Sequence, residues 1–159
     1  MTLTRLHLAI LATLGSAALL AGAFAFQYLG GLQPCTLCWW QRYPHMIAIA
    51  IGAVALVFRP RALLWLGALA ALGSAGIAVY HVGVEQGWWD GLSTCSGASI
   101  SGLSVDDLLD PNADVAAPVR CDQIAWAMWG ISMAGWNALI SLGLAGLWVG
   151  ATRAGDQPG

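Results

Sequence analysis

The chain has 159 residues, of which 58% are hydrophobic and 9% charged, with a net charge of -2 and a mean hydropathy of +0.71. A soluble domain carries about 25% charged residues to solvate its surface, so this composition implies a lipid-covered protein. Six arginines, no lysine and a negative balance exclude a nucleic-acid partner.

The first apolar stretch, residues 8–29, carries no charge and is long enough to cross a hydrocarbon core of roughly 30 Å. Ala21, Ala23 and Ala25 resemble a signal-peptidase site, but the apolar run exceeds the 7–15 residues of such signals, so an uncleaved helix is expected. A second helix is predicted over 37–58. To span a membrane it must include Trp39, Trp40, Gln41, Arg42 and Tyr43, which suit a membrane–water interface, and Pro44 should kink or begin it. The third helix is predicted over 62–84 and the fourth over 124–149, where Asn137 is placed as a hydrogen-bonding cross-link between helices. These elements predict an all-α membrane protein, a single four-transmembrane-helix bundle, because lipid tolerates only helices or closed barrels. Residues 30–43 and 85–123 form two non-cytoplasmic loops. Arg5, Arg59, Arg61 and Arg153 share one side and Arg42 and Arg120 the other, which puts both termini in the cytoplasm.

Six of the eight acidic residues fall between Asp90 and Asp122, so the second loop is solvated. It is expected to be exposed and mobile, with a turn at Asp110–Pro111–Asn112 and a short surface helix over 105–109. Trp39, Trp40, Trp88, Trp89, Trp126 and Trp129 are assigned to an aromatic belt on the loop side, and Trp65 and Trp148 to the opposite one.

All four cysteines, Cys35, Cys38, Cys95 and Cys121, fall in the two loops. Cys35-Thr36-Leu37-Cys38 is a CxxC whose sulfurs meet within one turn, a redox motif and also half of a zinc site. Cys95 and Cys121 stand 26 positions apart, which favours a loop disulfide over a second metal-binding pair. The redox reading is therefore preferred to bracing disulfides, and no metal is expected. Arg42 follows Cys38 at i, i+4, where its charge favours a thiolate; the alternative is an anchor for lipid phosphate. His81, near the end of the third helix at the depth of the CxxC, is a candidate for a hydrogen bond to a quinone carbonyl or for proton transfer. Glu85 is a candidate proton outlet, though an ordinary solvated carboxylate is preferred.

The block Pro34-Cys35-Thr36-Leu37-Cys38-Trp39-Trp40-Gln41-Arg42-Tyr43-Pro44, the four helices and the two later loop cysteines resemble the disulfide bond formation protein B (DsbB) family of bacterial inner membranes. The resemblance implies a membrane thiol–disulfide oxidoreductase that reoxidises a periplasmic DsbA-like thiol oxidase and passes the electrons to ubiquinone or menaquinone. It implies that the partner attacks a Cys95–Cys121 disulfide at Cys95. Electrons then reach Cys35 and Cys38 through a Cys35–Cys121 bridge. Cys38 would lie next to the quinone with Arg42 supporting it, and His81 matches the family's helix-three histidine by its position before Cys95. The cysteine loops are expected in the periplasm. One rival is the vitamin K epoxide reductase-like group, in which the CxxC should follow the loop pair. Another is a non-enzymatic membrane scaffold braced by its disulfides.

Overall fold

In a computed structural model of the chain, residues 4–58, 60–96 and 119–154 are described. The expected turn at 110–112 and surface helix at 105–109 lie outside them. Helix α1 runs Arg5–Tyr28, α2 Thr36–Phe58, α3 Arg61–Glu85 and α5 Met133–Arg153, with a single-turn α4 at Ser93–Ser96. Strands β1 (Ala127–Met128) and β2 (Ile131–Ser132) pair antiparallel just ahead of α5. The four long helices are each long and apolar enough to cross a membrane. They form a four-helix membrane bundle in which α3 packs against α2 and α5, and α1 closes the ring against the same two helices.

The helices turn their small and polar residues inward. On α2 the buried positions are Leu37, Gln41, Arg42, His45, Ala48, Gly52 and Ala55, a stripe at three- and four-residue spacing. Helix α3 buries Gly67, Ala68, Ala71, Ser74, Ala75, Ala78 and His81, and α5 buries Ala134, Ala138, Ser141 and Ala145. Large apolar side chains such as Leu14, Leu69, Leu72, Leu139 and Leu142 point outward. In lipid this inverted pattern is the favourable one. Leucine gains nothing by leaving acyl chains, whereas small residues let backbones approach and polar ones find partners. Trp148 departs from its assignment to the belt. It is fully buried, with its indole ring lying over Gly67, where a Cβ would come within 2.7 Å of it.

The first three long helices lie close to their expected bounds, and Pro44 falls inside α2, which begins at Thr36 rather than at the proline. The fourth begins at Met133, nine residues later than the apolar run from Ile124 suggested. Trp129 (φ 53°) and Gly130 (φ 77°) adopt left-handed backbone, which reverses the chain into the β1–β2 hairpin and stops a helix from passing through. Ser132 then caps α5, its hydroxyl accepting the Gly135 N–H at 3.1 Å.

Candidate active site

The four cysteines meet at one end of the bundle. Cys35 stands immediately before α2; its carbonyl accepts the Trp39 N–H at 3.1 Å and its sulfur accepts the Cys38 N–H at 3.2 Å, so it caps the helix. One turn later Cys38 brings its sulfur 2.8 Å from that of Cys35, and both are unbonded thiols. Cys35 donates to Cys38, and this hydrogen bond together with burial pushes the Cys35 thiol well above the usual range.

Cys95 and Cys121 form a disulfide. The Cys121 N–H donates to the Cys95 carbonyl at 3.0 Å, while α4 carries Cys95 and closes on Leu92. Leu37 and Val84 pack with Cys35, Cys95 and Cys121 in a single buried cluster. The expectation of an exposed loop disulfide is therefore corrected: Cys95 is 2% exposed and Cys121 0%. A disulfide is apolar, and here it settles between α2 and α3 against aliphatic side chains. The Cys35 sulfur, the Cys121 sulfur and a ring nitrogen of His81 all lie within 4.8 Å of one another. With its sulfur bonded to Cys95, Cys121 offers no thiolate in this state.

Arg42 turns inward instead of toward lipid phosphate. It donates to the Gln27 side-chain oxygen at 2.5 Å and to the Ala23 carbonyl at 3.2 Å, both on α1. Its guanidinium lies 4.8 Å from the Phe24 ring centre and 4.7 Å from that of Trp39. So held, it interacts electrostatically with Cys38 one turn earlier.

His81 projects from α3 toward the sulfurs. Its Nε2 lies 3.6 Å from the Cys35 sulfur and 3.2 Å from the Cys121 carbonyl, and its Nδ1 lies 2.8 Å from Gln41 Nε2. Glu85, preferred from sequence as a solvated carboxylate, has a side chain only 5% exposed, with Oε1 at 3.9 Å from His81. Its place at the inner face of α3, one turn beyond His81, accounts for the burial.

Behind His81 a polar chain that the sequence reading did not anticipate runs into the bundle. Asn137 donates to Gln41 Oε1 at 2.7 Å and to Ser74 at 3.1 Å, and its oxygen lies 3.0 Å from His45 Nε2 and 3.2 Å from Ser141 Oγ. Asn137 thus makes the interhelical bonds expected of it. Gln41, His45, Ser74 and Ser141 were missed, and so was Gln27. Their signal was the three- and four-residue spacing of polar and small residues along otherwise apolar helices.

A four-helix membrane bundle whose one end brings a dithiol against a disulfide defines a membrane disulfide-forming oxidoreductase. The family model described as disulfide bond formation protein DsbB matches residues 5–151, and the chain belongs to the DsbB family. Disulfide bond formation protein B of Methylococcus capsulatus is 33% identical over 144 residues, covering 85% of this chain and 86% of the relative. That of Marinobacter nauticus is 33% identical over 143 residues, covering 80% and 83%. Disulfide bond formation protein B 2 of Pseudomonas syringae pv. syringae is 32% identical over 143 residues, covering 85% and 81%. No solved structure matches the chain.

Proposed function

We propose that this protein reoxidises a DsbA-like dithiol protein on the periplasmic face of the bacterial inner membrane and delivers the electrons to ubiquinone or menaquinone. The observation that carries the reading is the meeting of the dithiol and the disulfide in one buried cluster, with Cys35 and Cys121 within reach of each other. The incoming thiolate attacks Cys95, forming a mixed disulfide and releasing Cys121 as a thiolate. Cys121 attacks Cys35 of an oxidised Cys35–Cys38 pair, and Cys38 leaves as a thiolate beside Arg42. The partner's second thiol then resolves the mixed disulfide, leaving its own cysteines oxidised and Cys95 as a thiol. Cys95 attacks Cys121 of the Cys35–Cys121 bridge, Cys95–Cys121 re-forms and Cys35 leaves, so the two electrons rest on a Cys35–Cys38 dithiol that a bound quinone would oxidise.

A bound quinone supplies a two-electron acceptor that also takes up two protons. The residues near Cys38 fit such a group. Cys38 is the one cysteine of the four that is not fully buried, and it lies on a membrane-spanning helix next to a fixed cation. We assign Arg42 and Cys38 to hold it. The distances of His81 Nε2 to the Cys35 sulfur and the Cys121 carbonyl favour a role for His81 at the sulfur exchange over the expected contact with the quinone. The arginine distribution supports cytoplasmic termini and periplasmic cysteines.

The test is quinone reduction by the purified protein, followed by absorbance with a reduced DsbA-like donor. Turnover that disappears in Cys95→Ser and in Cys38→Ser is the expected result; turnover retained in Cys38→Ser refutes the assignment. Burial of the Cys95–Cys121 disulfide favours a braced scaffold as the second reading, and absence of turnover with either quinone would select it.

A further inference from the structure

His81 has two ring nitrogens, and the one that carries the proton decides whether the ring gives or takes a hydrogen bond at the sulfurs. Its neighbours settle the matter, starting from groups that can only accept. The Leu37 carbonyl accepts from Gln41 Nε2 at 3.2 Å, and the Gln41 carbonyl accepts from the Ser74 hydroxyl at 3.1 Å. Ser74, its proton so committed, accepts from Asn137 Nδ2, the same nitrogen that donates to Gln41 Oε1. Both side-chain amides are thereby oriented. The Gln41 nitrogen then points an N–H at His81 Nδ1 at 2.8 Å, so Nδ1 presents its lone pair and the proton resides on Nε2. That nitrogen faces the Cys35 sulfur and the Cys121 carbonyl. Glu85 Oε1, at 3.9 Å, lies beyond hydrogen-bond distance.

We propose that Asn137, acting through Gln41, is a positioning residue that holds His81 as an Nε2–H donor toward Cys35 and the Cys121 carbonyl where the two cysteine pairs exchange. The inference rests on the relay described above and assigns His81 to the sulfurs. In the exchange the Cys121 thiolate attacks Cys35, the Cys35–Cys121 bond forms, the Cys35–Cys38 bond breaks and Cys38 leaves as a thiolate. No electron or proton leaves the chain. Negative charge spreads over three sulfurs in the transition state, and the Nε2–H lies beside the central one. In this tautomer His81 is a donor and does not act as a base on Cys35.

The experiment is nitrogen NMR of the full-length, lipid-embedded protein labelled with 15N-histidine, with His81 assigned by comparison with His81→Gln. The wild type is expected to show a protonated Nε2 and a lone-pair Nδ1. Gln41→Met, which removes the N–H aimed at Nδ1, is expected to bring in an Nδ1–H population, and Asn137→Leu a smaller one. In Gln41→Met, formation of the Cys35–Cys121 bridge, trapped by acid after mixing the oxidised protein with a dithiol donor, should slow roughly tenfold, the worth of one hydrogen bond to a charged group. A wild-type proton on Nδ1, or pure Nε2–H in both variants, overturns the proposal. The wild-type spectrum needs no variant to fold. The tautomer is read without quinone turnover, so failure of the relay and failure of this assignment are distinguishable.

Discussion

Asn137 on α5 donates to Gln41 on α2 across 2.7 Å, and the same amide holds Ser74 on α3, so one side chain ties three of the four spanning helices together. The bond joins helices inside the bundle, and its loss strands donors and acceptors on both neighbours. Asn137→Ala is therefore expected to lower stability by about 1–2 kcal/mol. Unfolding in mixed micelles with increasing detergent denaturant measures this, and an unchanged midpoint would refute it.

Arg42 is gripped from two sides, by the oxygens of Gln27 and Ala23 and by the faces of Phe24 and Trp39. A planar fork meets both demands and an ammonium does not. Arg42→Met and Arg42→Lys should each raise the quinone concentration needed for half-maximal turnover, by about tenfold or more for the loss of one charge-assisted contact. Exchange at Cys95–Cys121 should persist in both. Quinone titrations of the two variants decide the matter, and a dependence equal to wild type counts against the assignment.

Cys35 keeps its proton because it donates to Cys38 and is buried. A raised thiol pKa means that the reactive thiolate appears only at higher pH than for an ordinary cysteine. Alkylation of the dithiol state by iodoacetamide between pH 7 and 9 should consequently fall on Cys38, with Cys35 modified only under more alkaline conditions. Mass spectrometry of the digested protein reads the site directly. Rapid modification of Cys35 at neutral pH would contradict the geometry.

The Cys95–Cys121 disulfide lies beneath the surface, packed with Leu37 and Val84. A small reductant such as dithiothreitol should reduce it more slowly than a short peptide disulfide, because attack requires direct access along the sulfur–sulfur axis. Replacing Leu37 with Ala should thin that cover and speed the reaction. Equal rates for the protein and the peptide would show that the cover opens freely.

Much of the scaffold was legible because spans without charge permit little else in lipid, and the first three long helices lie close to their expected bounds. The fourth was misread at its start, since Ile124, Ala125 and Trp126 are as apolar as the helix they precede. Only the left-handed pair Trp129–Gly130 marks the turn. Cys35, Cys38 and Arg42 announced themselves through the block from Pro34 to Pro44, and Cys95 and Cys121 through their place in the second loop. Burial of the loop disulfide did not, because composition marks Asp and Ser as solvated without saying which way a neighbouring cysteine faces. Gln41, Ser74 and Ser141 carry no motif, and their importance arises from contacts between helices that are far apart in sequence.

The inward polar stripe also bears on how the protein is made. Gln41, His45 and Ser74 belong to helices that leave the ribosome well before Asn137 and Ser141, the residues that complete their hydrogen bonds. A nascent chain ending ahead of Met133 thus lacks the partner that Gln41 Oε1 finds in Asn137, which the last segment brings on arrival. The last helix to be made completes a hydrogen-bond network that the second and third begin.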